Sequence, residues 1–266
     1  MKRIACIGDN CIDCYDETGE RYPGGNPVNV SVYFRRLGIP ASYIGAVGND
    51  DNGRVILDSL REKKVDVSHV KVLEGDTAIT HVKRVNGDRV FGDDDPGVNV
   101  KLTLTEEDLE FIAEHDLVVT GLWGYTEPFL PAIESRGIPI AYDASNRLAL
   151  PQCREGMKYA KYLFFSDDSA EEEQLRQQMR GIAAMGSEVV IAMRGSLGSL
   201  AYADGRFESL GIIPCEVVDT MGAGDSYIAG FLNARLAAGP VSADLSECMR
   251  KGAENAAVTI GYEGAW

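Results

Sequence analysis

The stretch DTMGAGDSYIAGFL spans residues 219–232. Two carboxylates, Asp219 and Asp225, bracket Gly222, Ala223 and Gly224. EVVD before it has the pattern of a strand end, and GAGDSYIAGFLNARLA that of a helix start, so a turn between strand and helix is predicted. Small residues there let a bound group approach the backbone. The N–H groups at a helix start, with the helix dipole behind them, attract an anion, and phosphate is the natural guest. Asp225 would be repelled by that phosphate, so its presence points to chemistry: a carboxylate in the first helical turn can take the proton from a hydroxyl that attacks the phosphorus. The plain alternative is a glycine-rich turn with an acidic cap. Two other phosphate-binding patterns are absent. No G-x-x-x-x-G-K-[ST] occurs, and G-x-G-x-x-G would need glycine where Tyr227 stands.

A second glycine pair opens GGNPVNV (24–30). Asn26 as cap, Pro27 at the first helical position and Gly38 past the end predict a helix to Leu37. Gly25 would expose its backbone to a ligand, and Asn29 would face the same crevice. Asp9 and Asp13, near the end of the first strand (3–8), are suited to hydroxyls that both donate and accept. Strand patterns at 41–48, 117–123, 139–145, 162–167, 188–195 and 215–219 alternate with helical ones, among them 54–64, 105–115 with its Thr105-Glu-Glu-Asp108 capping box, and 170–185. A hairpin is expected around Asp204-Gly205. The pattern predicts an α/β fold, a doubly wound, mostly parallel sheet with helices on both faces, binding ligands beyond the carboxyl ends of its strands. Residues 70–100 differ, being strand-rich with a hairpin signal at Asn86-Gly87. We expect one domain over 1–266, with a small β lid from segments near 9–24 and 70–100.

With 26 basic and 41 acidic residues, the 266-residue chain has a formal charge of −15, which argues against nucleic-acid or anionic-membrane partners. No apolar run has the length of a membrane span, the start lacks a signal-peptide core, and the six cysteines lack framework spacing. A cytoplasmic protein with reduced thiols is expected. Cys11 and Cys14 form a lone C-x-x-C in a turn-rich setting, better read as two small residues at a strand end than as a redox or metal pair. His69, His81 and His115 lack mutual metal-ligand spacing and are expected at the surface. Trp123 suits pocket lining or packing equally.

DTMGAGD resembles the C-terminal signature of the pfkB, or ribokinase-like, carbohydrate kinases, and GGNPVNV their N-terminal one. Order and separation agree, so the resemblance covers essentially the whole chain. It implies a ribokinase-like fold, ATP and Mg2+, in some relatives a monovalent cation, and a lid that often makes a homodimer contact. It implies Asp225 as catalytic base and the backbone of Gly222, Ala223 and Gly224 as anion hole. Asp13, Gly25 and Asn29 match sugar-contacting positions. Gly195 and Gly198 match a nucleotide loop, Asn255 a position near the adenine, and Asp219 a position near bound cations. Arg147, in Asp143-Ala-Ser-Asn-Arg147, is a candidate for neutralising phosphate charge, although Ser145 replaces the usual Asn. Ser166 and Ser169 stand where many relatives have N-x-x-E, with Glu171 to Glu173 just beyond, and Met193 replaces a usual Thr. Within the family, GDNCID (8–13), DRVFGD (88–93), LWG (122–124) and GAW (264–266) resemble the branch that phosphorylates the 6-hydroxyl of fructoselysine. Asp93 to Asp95 and Glu17 could pair with that substrate's amines, or form a solvated acidic run, and Arg89 and Phe91 could face the sugar. The alternatives are another sugar (a hexose, 2-keto-3-deoxygluconate or a riboside) and a non-catalytic sugar-binding regulator.

Overall fold

Strands covered on both faces need apolar side chains at every position, and the first strand, IACI, is completely buried. The computed structural model describes residues 2–85, 88–238 and 244–266, with the side chains of all of these except 84, 85, 88–91 and 93. The elements run β1 (Ile4–Ile7), β2 (Cys11–Tyr15), β3 (Arg21–Gly24), α1 (Asn26–Arg36), β4 (Ala41–Ile44), β5 (Ala46–Gly48), α2 (Asp51–Glu62), β6 (Lys71–Leu73), β7 (Ile79–Val85), β8 (Asp88–Asp95), α3 (Glu106–Ala113), β9 (Leu117–Gly121), α4 (Leu130–Glu134), β10 (Ile140–Asp143), α5 (Pro151–Met157), β11 (Tyr162–Ser166), α6 (Glu172–Ala183), β12 (Val189–Met193), β13 (Ser199–Ala203), β14 (Arg206–Leu210), α7 (Ala223–Ala238) and α8 (Leu245–Thr259).

The main sheet has eight strands in the order β14-β13-β12-β11-β10-β9-β1-β4. Pairs from β4 to β12 are parallel, and β13 and β14 add an antiparallel edge at the expected hairpin. Alternate residues feed two cores. Ala5, Ile7, Val118, Leu163 and Phe165 face α3 to α6, whereas Ile4, Cys6, Val119, Tyr162 and Phe164 face α1, α7 and α8. The predicted doubly wound architecture is therefore observed. After β1 the chain goes to β4 on one side and later returns to β9 on the other, so the strand order reverses at β1, where such sheets hold ligands.

A separate four-stranded sheet, β3-β2-β7-β8, combines the two segments expected to form a lid. The Asn86-Gly87 signal lies outside the described residues, between strands that pair antiparallel. A core of Ile12, Val28, Val32, Val47 and Ile56 joins this sheet to α1 and α2. Three expectations about the strands need correction. Residues 41–48 form two strands, because pairing switches at Gly45, whose carbonyl accepts from Lys71 N (2.8 Å). β5 and β6 then make their own two-stranded sheet, so residues 71–73 are not in the small four-stranded one. Residues 215–219 form no strand. β14 closes that sheet edge, Val217 and Val218 remain 60% and 47% exposed, and the segment is tied instead where Val218 N and Asp219 N donate to Ile260 O just after α8 and where the Asp219 carboxylate accepts from Met221 N and Gly264 N.

Of the histidines, His81 is half exposed beside Asp16, but His115 is buried, its two ring nitrogens bonded to Ser42 Oγ and Phe111 O (both 2.9 Å). That corrects its surface expectation: a core imidazole is tolerated when both nitrogens find partners. All six cysteines are free. No described helix is long and apolar enough to cross a membrane.

Candidate active site

Four chain segments meet beyond the carboxyl ends of β1 and β10. The first is the start of α1. Its cap is Gly25 rather than the expected Asn26, with φ at 105°, and a Cβ there would stand 2.7 Å from Asn10 Cα. Only glycine allows this approach, which wedges α1 against the loop after β1. Asn26 becomes the first helical residue, and its side chain serves the site instead of the cap. Its Nδ2 donates to Asp143 Oδ2 (3.0 Å) and Asp225 Oδ1 (2.7 Å). Asn29, one turn on, donates to Asp225 Oδ2 (2.7 Å). Both oxygens of Asp225 are thus held by amides, with no Lys, Arg or His bonded to it among the described residues.

The second segment is the glycine turn. Gly222 has φ at 71°, and a Cβ there would come within 2.2 Å of the Tyr33 hydroxyl. α7 begins at Ala223, so Asp225 falls in its first turn, as predicted. The leading N–H groups of such a helix lack acceptors within it. Ala223 N makes a long contact to Thr220 O (3.3 Å), and Gly222 O accepts from Ser226 N (2.8 Å). Met193, at the end of β12, reaches to 3.6 Å of a Cβ built at Gly224. α7 is therefore aimed at the carboxyl ends of the parallel strands without any strand leading into it.

Asp9 and Asp143 complete an acidic triad. Asp9 Oδ2 accepts from Asn26 N (3.3 Å), while its Oδ1 is buried with no partner among the described residues. Asp143 Oδ1 accepts from Ser145 N (2.9 Å). Burial pushes Asp225 up to about 8; Asp143 adds to this, and the two asparagine bonds oppose it. Burial likewise lifts Asp143 and Asp9 to about 6 each, Asp9 adding to the shift of Asp143. Carboxylates this close lose their protons as a set.

The other predicted positions fall into two groups. Arg147 is exposed in the turn after β10, and Gly195 and Gly198 bracket the turn after β12, all at strand ends bordering the crevice. Asp13 is buried on β2, its carboxylate against Gly24. Asp219 and Asn255 serve the scaffold. Asp219 accepts from Met221 N (2.9 Å), Gly264 N (3.0 Å) and Tyr15 Oη (3.5 Å), and Asn255 Nδ2 ties α8 to α7 through Ser226 O (2.7 Å). The side chains of Arg89, Phe91 and Asp93 lie outside those described. Trp123 is 49% exposed after β9, favouring lining over packing. Sequence reasoning missed Asn26, taken as a cap, and Asp143, noted only as the start of the motif ending in Arg147.

The sequence matches the pfkB family of carbohydrate kinases over residues 1–266. It is 40% identical over 266 residues to a fructoselysine 6-kinase of Shigella flexneri, covering all of both chains. Among solved structures, Arabidopsis thaliana ribokinase complexed with ribose and ATP superposes with a TM-score of 0.87 at 22% identity, covering 99% of this chain and 93% of that one. A fructokinase of Xylella fastidiosa with bound ATP gives 0.83 at 18% identity, covering 99% of this chain and 93% of that one. The chain belongs to the pfkB family and is a carbohydrate kinase with the ribokinase-like fold.

Proposed function

We propose that this kinase transfers the γ-phosphoryl group of ATP to the 6-hydroxyl of fructoselysine. The observation that carries the reaction type is Asp225, clamped by Asn26 and Asn29 directly beside the Gly222–Gly224 turn. Asp225 takes the proton from the 6-hydroxyl as its oxygen bonds to phosphorus. The bond from the γ-phosphorus to the bridging oxygen breaks, and that electron pair leaves on ADP. The N–H groups of Gly222, Ala223 and Gly224 face the charge that develops on the moving group. Arg147 neutralises phosphate charge, and Gly195 and Gly198 keep the loop after β12 close to the nucleotide.

The residues fit a magnesium ion held through nucleotide phosphates and water, which needs only one or two carboxylates. Asp168, exposed beside the Gly195 turn, is suited to its water shell in place of the missing N-x-x-E glutamate. When bound, the ion neutralises phosphate charge. Asp219 we read as a brace for the glycine turn; a rise in turnover on adding potassium would support a monovalent cation near it.

The small sheet acts as a lid over the sugar, with Asp9, Asp13, Gly25 and Asn29 as sugar contacts and Arg89 and Phe91 carried by the lid. Its outer face is the proposed homodimer contact, which sedimentation velocity tests. For the substrate, the relative's name agrees with an acidic residue of the lid. Asp94 is exposed in β8 of the lid sheet, opposite Thr80 of β7. Asp94 and the exposed Trp123 suit an ammonium group. Asp95, by contrast, accepts from Gly97 N (2.9 Å).

The test measures ADP release with fructoselysine, fructose, ribose and 2-keto-3-deoxygluconate at equal concentrations. The highest kcat/KM is expected with fructoselysine. A higher value with another sugar overturns the substrate, and no release with any of them favours the regulator.

A further inference from the structure

Three consecutive residues, Gly264, Ala265 and Trp266, each bond to a different support of the glycine turn and its carboxylate. Gly264 N donates to Asp219 Oδ2 (3.0 Å), bracing the start of the turn. Ala265 O accepts from the Tyr33 hydroxyl (2.5 Å), the group that fills the space left by the missing side chain of Gly222. Trp266 Nε1 donates to Asn29 Oδ1 (2.8 Å), and the same amide holds Asp225 through its nitrogen. The indole packs against three of the hydrophobic clusters, with Lys63 over its ring at 5.9 Å.

The chemistry of the pair is asymmetric. An indole N–H can only donate, while an asparagine amide presents a donor on one side and an acceptor on the other. Facing Trp266, Asn29 must offer its oxygen, so its NH2 must turn to Asp225. Without the indole, the amide could rotate and set its oxygen to accept from Asp225 in its protonated form. Asn26 cannot compensate, because its NH2 already serves both Asp143 and Asp225.

We infer that Trp266 is a positioning residue for phosphoryl transfer: its indole N–H selects the rotamer of Asn29 that donates to Asp225, which favours the ionised carboxylate and aims it. This rests on Asp225 being the base. The titratable groups facing Asp225 are Asp143 at the end of β10, Asp9 after β1 and Tyr33 on α1. A change at residue 266 removes none of them, and Trp266→His adds only its own imidazole, which titrates at about 6.5.

The experiment compares Trp266→Phe, which keeps an aromatic ring and loses the donor, with Trp266→His, which keeps an N–H at the matching ring position and loses the bulk. Both are measured across pH 7.5–9.5, above the ordinary titration of an imidazole at about 6.5, with Asp225→Asn as control. A hydrogen bond to a charged group favours its ionised form. Its loss in Trp266→Phe should therefore move the acid limb of kcat/KM up by about one pH unit, with about ten-fold lower activity on that limb. KM for ATP should hold, and Trp266→His should restore the limb even where its Tm falls. An unmoved limb in Trp266→Phe, with activity lowered equally at every pH, overturns the inference and leaves the residue as packing. A limb shifted equally in both variants also overturns it. Near wild-type turnover in Asp225→Asn would instead break the base assignment, so the two failures are distinguishable.

Discussion

Asp225 and Asp108 are both enclosed carboxylates at the start of a helix, and the protein treats them in opposite ways. Asp108, 1% exposed on its side chain, accepts from Lys71 Nζ (2.7 Å), His69 Nδ1 (2.8 Å) and Thr105 N (2.8 Å). Burial alone would raise it, but the lysine, threonine and histidine bonds outweigh burial and hold it well below the usual carboxylate range. Asp225 has two neutral amides and two acidic neighbours, and burial pushes it up. A carboxylate with a cation is spent on stability, whereas one left with only amides and like charges keeps a proton affinity fit for chemistry.

The sharpest way to break this contrast is Asp225→Asn. It should lower kcat about 10²–10⁴-fold, the span of a positioned base, with KM for ATP nearly unchanged. Near wild-type turnover would assign the base elsewhere. Next is Gly222→Ala, which forces a Cβ at positive φ into the Tyr33 hydroxyl. A loss of about 10–100-fold in kcat is expected, comparable to the loss of one preorganised anion-hole donor, and unchanged kcat would sink the role of the turn. Asp108→Asn should act on the other side of the comparison. Unfolding in urea should show about 2–3 kcal/mol lost near neutral pH, as a buried lysine contact is broken, while kcat per folded molecule stays near wild type.

Stability against pH separates the two sites most finely. The folded value of Asp225 is raised, so its stabilising contribution is complete below about pH 3.8 and is lost as pH rises through about 8. Asp225→Asn should therefore leave Tm little changed at pH 4 and raise it by about 2–8 °C at pH 9. The folded value of Asp108 is lowered, so its contribution is present above about 3.8 and is lost as pH falls through the lowered value. The penalty of Asp108→Asn should then shrink in acid. The acid limb of kcat/KM should rise towards about pH 8, since Asp225 must be ionised to accept a proton; a flat profile from pH 5.5 to 9 would contradict that.

Much of the fold is legible because local patterns and burial agree. IACI and YLFF are apolar at every position since helices cover both sides of the sheet. The Thr105–Asp108 capping box forms as written, both of its bonds being local. The pattern CEVVD misleads because alternation cannot tell whether a sheet edge is free to accept a strand. Asn26 misleads because a cap and an active-site amide look alike until Asp143 and Asp225 are brought to it from residues over a hundred positions away.

The sequence alone therefore determined the sheet class, the glycine turn and the acidic residue in the first turn of α7, all set by neighbours within a few positions. Only the tertiary structure decided the environment of that acid: which amides hold it, which carboxylates raise it, and which indole orients Asn29. Proton affinity depends on burial and on charges contributed by distant segments, and those are properties of the packed chain.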